Sequence, residues 1–148
     1  MNHPIAVFPE AFRALQALGK VAHNGAVPSR TLMLAELRAS QINGCSVCVS
    51  MHAGDLKKNG ESDERIFAVA AWRENPAFDP AERAALALTE ELTRISDRAD
   101  PVSDAVWTEA ARHYDERGLA TLILAIANIN TWNRLNVAIR QVVGTASA

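Results

Sequence analysis

The chain has 148 residues, of which 49% are apolar and 22% charged, and its net charge is −2. That length holds one domain with a genuine core, and a near-neutral balance with no Lys/Arg stripe argues against nucleic acid as a partner. Residues 1–7 lack both the charged and the long apolar part of a signal peptide, and the most apolar run, residues 119–129, is too short to span a bilayer. A cytoplasmic protein with no membrane partner is expected.

Almost every segment reads as helix, and strand signals are absent. Residues 9–20 carry Phe12, Leu15 and Leu18 at helical spacing and break at Asn24-Gly25. Pro28 suits the first turn of a second helix, whose apolar positions Leu32, Met33, Leu34 and Leu37 lead to Ile42 before Asn43-Gly44 interrupts it. A third helix starts near Cys45 and stops at Asn59-Gly60. Ser62 caps a short helix carrying Ile66, Phe67, Val69 and Trp72. Asp79-Pro80-Ala81-Glu82 opens the next as a capping box with proline at the first helical position, and that helix runs to about Ile95. Either Asp100-Pro101 or Ser103 begins a helix through Val106, Trp107 and Ala110.

Asp115 caps the last and longest helix, which is expected to end at Gly144. Its apolar residues lie on nearly every face, from Leu119 through Ile126 and Trp132 to Ile139, and such a helix must be buried all round. One small domain can hardly enclose a helix of ~25 residues, so part of it is expected to meet another subunit. The fold read from the residues is a single all-α domain over 1–148, a helical bundle of about seven helices, in an oligomer.

The chemistry concentrates in Asn43-Gly44-Cys45-Ser46-Val47-Cys48-Val49-Ser50-Met51-His52, which holds both cysteines of the chain. On a helix starting at Cys45, with ~100° per residue, Cys48 lies about 60° from Cys45 and His52 falls between them. An i, i+3 pair at a helix start brings two Cα atoms to about 5–6 Å, close enough for a disulfide. In the first turn, unpaired N–H groups and the positive end of the helix dipole favour a thiolate at Cys48. His52, one turn on, can take or return its proton. Such a thiolate attacks a peroxide to give a sulfenic acid, with which Cys45 condenses to a disulfide, and an external dithiol resets the pair. Two rivals stay open: a pair of small buried cysteines with no chemistry, and zinc, for which two sulfurs and one nitrogen fall short of four ligands.

Residues 40–52, SQINGCSVCVSMH, resemble the signature of the alkylhydroperoxidase D / carboxymuconolactone decarboxylase superfamily, in particular its small peroxidase-related members. Ala70-Ala71-Trp72-Arg73-Glu74 and residues 129–135, INTWNRL, are similar to recurrent stretches of the same subgroup, and the likeness runs from about residue 8 to 143. The resemblance implies an all-α fold, a homotrimer or homohexamer, no cofactor or metal, and thiol-dependent reduction of a small hydroperoxide. It implies Cys48 as the residue oxidised, Cys45 as the residue that resolves it, and His52 as the proton relay. It also implies a dihydrolipoyl carrier or a thioredoxin-like protein as reductant. A glutamate that assists the histidine in that family usually stands twelve residues before the first cysteine, and Met33 occupies that position here.

Glu36 is the nearest carboxylate on that helix. It reads either as a replacement acting through a water or as a solvated surface charge, and the usual exposure of glutamate favours the second. Met33→Glu is expected to raise peroxidase turnover, and no change or a loss would count against a relay at that position. A cofactor-free decarboxylase or lactone-processing enzyme and a redox sensor are the alternative functions. The remaining polar candidates read as structural: Trp72, Arg73, Trp132, Asn133 and Arg134 as packing or satisfied buried groups, His113 as serving a helix dipole, and Glu90-Glu91 as a solvated face. His3 and His23 sit in no ligand spacing.

Overall fold

Capping side chains set most element boundaries. The computed structural model describes residues 1–144, the Asp97 side chain excepted. Among them are eight α-helices and no strand: α1 (Pro4–Val7), α2 (Pro9–Ala22), α3 (Ser29–Asn43), α4 (Ser46–Lys58), α5 (Asp63–Ala68), α6 (Pro80–Thr93), α7 (Asp104–His113) and α8 (Glu116–Ala138). Tighter 3-10 turns follow α5 at Val69–Glu74 and α6 at Ile95–Asp97. Asp79 accepts from the Glu82 backbone N–H at 2.8 Å while the Glu82 carboxylate accepts from that of Asp79 at 3.0 Å, the reciprocal capping box. Ser62, Ser103 and Asp115 cap α5, α7 and α8 without such a return bond, each worth about 1 kcal/mol. Of the two starts open for α7, Ser103 is the cap.

Three features differ from expectation. The helix capped by Ser62 ends at Ala68, and Val69 and Trp72 lie in the 3-10 turn that follows. A further helix, the single turn α1, is capped by the His3 ring. At the other end, α8 stops at Ala138, short of Gly144, because Arg140 takes φ +54° and a right-handed helix cannot pass through that conformation.

The helix α3 is the hub, packed on α4, α6 and α8. Its Leu32 joins Leu88, Leu122 and Ile126 in one apolar cluster, and Leu34 and Leu37 join Leu56, Trp72 and Leu86 in a second. A third, smaller cluster gathers Ala39, Cys45, Cys48 and Ile129, with Val47 and Trp132 against it. Burial of α8 is incomplete within one chain: Leu122, Ile126 and Ile129 are inside, Leu119, Ile123, Leu124 and Leu135 are half-buried, and Val137 is exposed. Among the described residues no helix is long and apolar enough to cross a membrane.

A polar interlock fixes the end of α3 to α8. The Asn43 amide donates to the side-chain oxygens of Asn130 and Asn133, both at 2.9 Å, and the fully buried Asn133 donates to Ser40 Oγ at 3.1 Å. These bonds read Asn133 as satisfying buried groups, and Arg134 likewise donates to the Asn130 side chain at 3.0 Å.

Glu90 and Glu91, expected on a solvated face, are inside. Glu90 receives the Trp72 indole N–H at 2.9 Å and pairs with Arg38 and Arg73, both at 2.7 Å, with the Arg73 guanidinium stacked over the Trp72 ring. Burial pushes the Glu90 carboxyl up, but those donors hold it below the usual carboxylate range. Glu91 accepts from the Ser103 backbone N–H at 2.8 Å and pairs with Arg98. A buried carboxylate persists when its lone pairs are filled in this way.

Candidate active site

Gly44, at φ +68°, turns the chain from α3 into α4 in the left-handed region that favours glycine. The next residue, Cys45, is the N-cap of α4, and its Sγ accepts from the Cys48 backbone N–H at 3.3 Å. Cys48 is the third residue of the helix, so its sulfur lies in the first turn, where the helix dipole favours an anion. The two cysteines form a disulfide with Cα atoms 5.3 Å apart, and both are almost wholly buried. The Cα separation falls in the range expected from the Cys-x-x-Cys spacing.

His52 is one turn further along α4 and only 8% exposed. Its Nδ1 lies 3.5 Å from Glu36 Oε2, and Glu36 Oε1 lies 3.1 Å from His23 Nε2. Glu36 is therefore no solvated surface charge: it is buried on α3 and bridges two histidines. His23, at the C-terminal cap of α2, is exposed and opens this chain of three groups toward solvent. The hydrogen bond that the His23 ring donates to Glu36 raises His23 above the ordinary imidazole value, outweighing partial burial. His52 moves the other way, because burial strips water from its charged form faster than the charges of Glu36 and Asp55 restore it. Met33 faces elsewhere, into the second apolar cluster, with its sulfur 3.9 Å from the Asn59 amide.

Glu36, Cys48 and His52 line one cavity of about 400 Å³. Its other walls are mostly apolar, from Ile5 and Phe12 on one side to Met51, Ile129 and Trp132 on the other. Trp132 is thus wall as well as packing, with Phe12 meeting it edge-on at 6.2 Å. Two polar atoms at this cavity, His52 Nε2 and Asn128 Oδ1, are buried with no hydrogen-bond partner. On the far side of the disulfide a smaller concavity of about 230 Å³ borders Cys45, with Arg140 and Gln141 on its rim.

Asn136 of α8 stands between the two concavities and lines both. Its amide nitrogen donates to Cys48 Sγ at 3.4 Å, and its oxygen lies 3.1 Å from His3 Nε2. His3, His23, Asn128 and Asn136 were not reached from the sequence. His3 and Asn136 bond groups far along the chain, and nothing in local spacing marks such contacts. His113 stays outside the site, in the last turn of α7, paired with Glu109 at 3.1 Å. The assembly comprises a sulfur pair at a helix start, an imidazole backed by a carboxylate, and an amide donor. These are the parts needed to hold a thiolate and to pass a proton to and from a group in an apolar cavity.

The model of the carboxymuconolactone decarboxylase family matches residues 9–91. The uncharacterized protein YdfG of Bacillus subtilis is 36% identical over 132 residues, covering 89% of this chain and 88% of its own. Among solved structures, ATU0492 of Agrobacterium tumefaciens superposes with a TM-score of 0.89 at 31% identity, over 99% of this chain and 100% of its own. It is a protein of unknown function for which a role in antioxidant defence of the AhpD type has been suggested. The debrominase Bmp8 shares the fold, with a TM-score of 0.80 at 21% identity over 95% of this chain and 75% of its own.

Proposed function

The chain belongs to the carboxymuconolactone decarboxylase family, and from that premise we propose that it is a thiol-dependent peroxidase of the alkylhydroperoxidase D type. The observation that carries the reading is the shared cavity: Cys48, His52 and Glu36 line one largely apolar space. Such a space suits a hydroperoxide with an organic tail better than hydrogen peroxide alone.

In the proposed cycle the Cys48 thiolate attacks the hydroperoxide. An S–O bond forms, the O–O bond breaks, and the departing alkoxide takes a proton from His52 and leaves as an alcohol. The Cys45 thiol then condenses with the Cys48 sulfenic acid, forming the S–S bond and releasing water. A dithiol reductant, a dihydrolipoyl carrier or a thioredoxin-like protein, returns two electrons by exchange and leaves as its own disulfide. Glu36 holds the His52 ring and, through His23, gives its proton a way to solvent. In this reading Cys48, Cys45, His52 and Glu36 are the catalytic set, no cofactor is needed, and the half-buried apolar residues of α8 meet other subunits of a homotrimer or homohexamer.

Thiol titration before and after one equivalent of an alkyl hydroperoxide tests this. The reduced protein should lose both thiols, and Cys48→Ser should keep its remaining thiol and consume no hydroperoxide. A wild type that keeps both thiols would overturn the proposal. Turnover of a lactone or carboxylate substrate that survives Cys45→Ser and Cys48→Ser together would favour the chemistry in the family's name.

A further inference from the structure

We infer that His3, acting through Asn136, positions an amide donor on the Cys48 sulfur and so governs how readily that thiol ionises. The inference deepens the peroxidase reading and draws its consequence from it, but the hydrogen-bond chain stands independently.

The chain is fixed from one end. The backbone N–H of Ile5 can only donate, and it points at His3 Nδ1 at 3.2 Å. That nitrogen must therefore present its lone pair, which places the proton of the neutral ring on Nε2. Nε2 faces Asn136 Oδ1 at 3.1 Å and donates to it. The Asn136 amide is thereby oriented with Nδ2 toward Cys48 Sγ, 3.4 Å away. Turned over, the amide would set a donor against a donor at His3 and an oxygen against the sulfur. Each step follows from the one before, and the first is a backbone group that cannot change its role.

The arrangement is also held in place. His3 is 2% exposed although Met1 and Asn2 beside it are exposed, and its ring lies 6.5 Å from that of Trp132. The titratable groups that share the Cys48 cavity are His52 from its own helix, Glu36 from α3 and His3 from α1, while Arg140 borders Cys45 from beyond α8. An N–H aimed at a sulfur stabilises the thiolate more than the thiol, because the bond to an anion is charge-assisted. It serves both halves of a cycle. It favours the nucleophile, and it makes Cys48 the better leaving group when a dithiol opens the disulfide at Cys45.

Cys48 ionisation can be followed by the ultraviolet absorbance of its thiolate across pH, in a Cys45→Ser background where it is the only thiol. His3→Asn keeps a side-chain acceptor for Ile5 and a good helix cap but falls short of Asn136. It should raise the ionisation midpoint by about one unit, and Asn136→Leu should do the same. Because His3 acts through Asn136, the double variant should shift no further than Asn136→Leu alone. His3→Gln, which regains a distal N–H donor, should recover part of the shift. A His3→Asn midpoint equal to the background, with an unchanged melting temperature, would overturn the inference, as would shifts that add in the double variant. No hydroperoxide enters this measurement, so its failure and the failure of the peroxidase reading are separate results.

Discussion

Glu36→Gln tests the proton chain most directly, because it keeps the side-chain volume and removes the charge that two histidines share. Glu36 Oε2 is 3.5 Å from His52 Nδ1. At an effective dielectric near 20, unit charges at about that distance attract by about 4 to 5 kcal/mol. Losing even half of this, about 2 to 2.5 kcal/mol, from a His52 that must carry a proton during turnover lowers kcat/KM by about thirty- to seventyfold. Both imidazoles should also titrate lower than in wild type. His23 sits high because of its bond to Glu36, and Glu36 is what opposes the effect of burial at His52.

The stability consequence has a definite sign. The raised His23 contributes stability that is fully present below the ordinary value of 6.5 and is lost as pH rises through its raised value. The lowered His52 costs stability as pH falls through 6.5, since the unfolded chain then binds the proton first. The variant loses the first effect and deepens the second, so its melting temperature should fall away from wild type on acidification and approach it in alkali. Histidine NMR titrations, thermal melts across pH and single-turnover hydroperoxide consumption read the three effects. A variant with wild-type turnover and an unmoved His52 titration would refute the chain.

Met33→Glu puts a carboxylate without a partner into the second apolar cluster. It should lower stability by about 3 kcal/mol with no gain in turnover; faster hydroperoxide consumption would restore the idea of a relay at position 33. Asn133→Leu removes one of the two acceptors of the Asn43 amide and the donor to Ser40 Oγ at the end of α3. A loss of about 2 to 4 kcal/mol should appear in denaturant unfolding, and an unchanged midpoint would show that the interlock does not hold α3 to α8. Gly44→Ala meets no atom within 4 Å of the added methyl group, so its cost should be the left-handed backbone alone, about 1 to 2 kcal/mol by thermal melt, with the disulfide still able to form.

Contacts between near neighbours were legible in the sequence; contacts across the bundle were not. The caps Ser62, Asp79, Ser103 and Asp115 act within a few residues, and so does the helical face shared by Cys45, Cys48 and His52, which is why each was readable. The bonds of His3 to Asn136 and of Asn136 to Cys48 cross most of the chain, and no periodicity marks them. Glu90 misled for a related reason. A glutamate on an amphipathic helix is usually solvated, and what brings this one inside is donors from α3 and from the 3-10 turn after α5. The turn α1 is too short to show a pattern and owes its place to the cap and burial of His3.

Glu36 is the instructive intermediate case, because counting could have found it. Two helices joined by a tight turn run back to back, and residues equally far from the turn stand level with each other. Glu36 is eight residues before Gly44 and His52 is eight after it, and these are the side chains that meet. Met33 is eleven residues before Gly44, and its sulfur meets the amide of Asn59 at the far end of α4 rather than the imidazole. A surface reading weighed only how often glutamates are exposed, whereas the fold asks whether a buried histidine stands opposite. With His52 desolvated and His23 within reach, burial of Glu36 is compensated on both oxygens. A carboxylate at position 36 rather than 33 thus stands opposite the His52 imidazole and reaches the His23 ring as well.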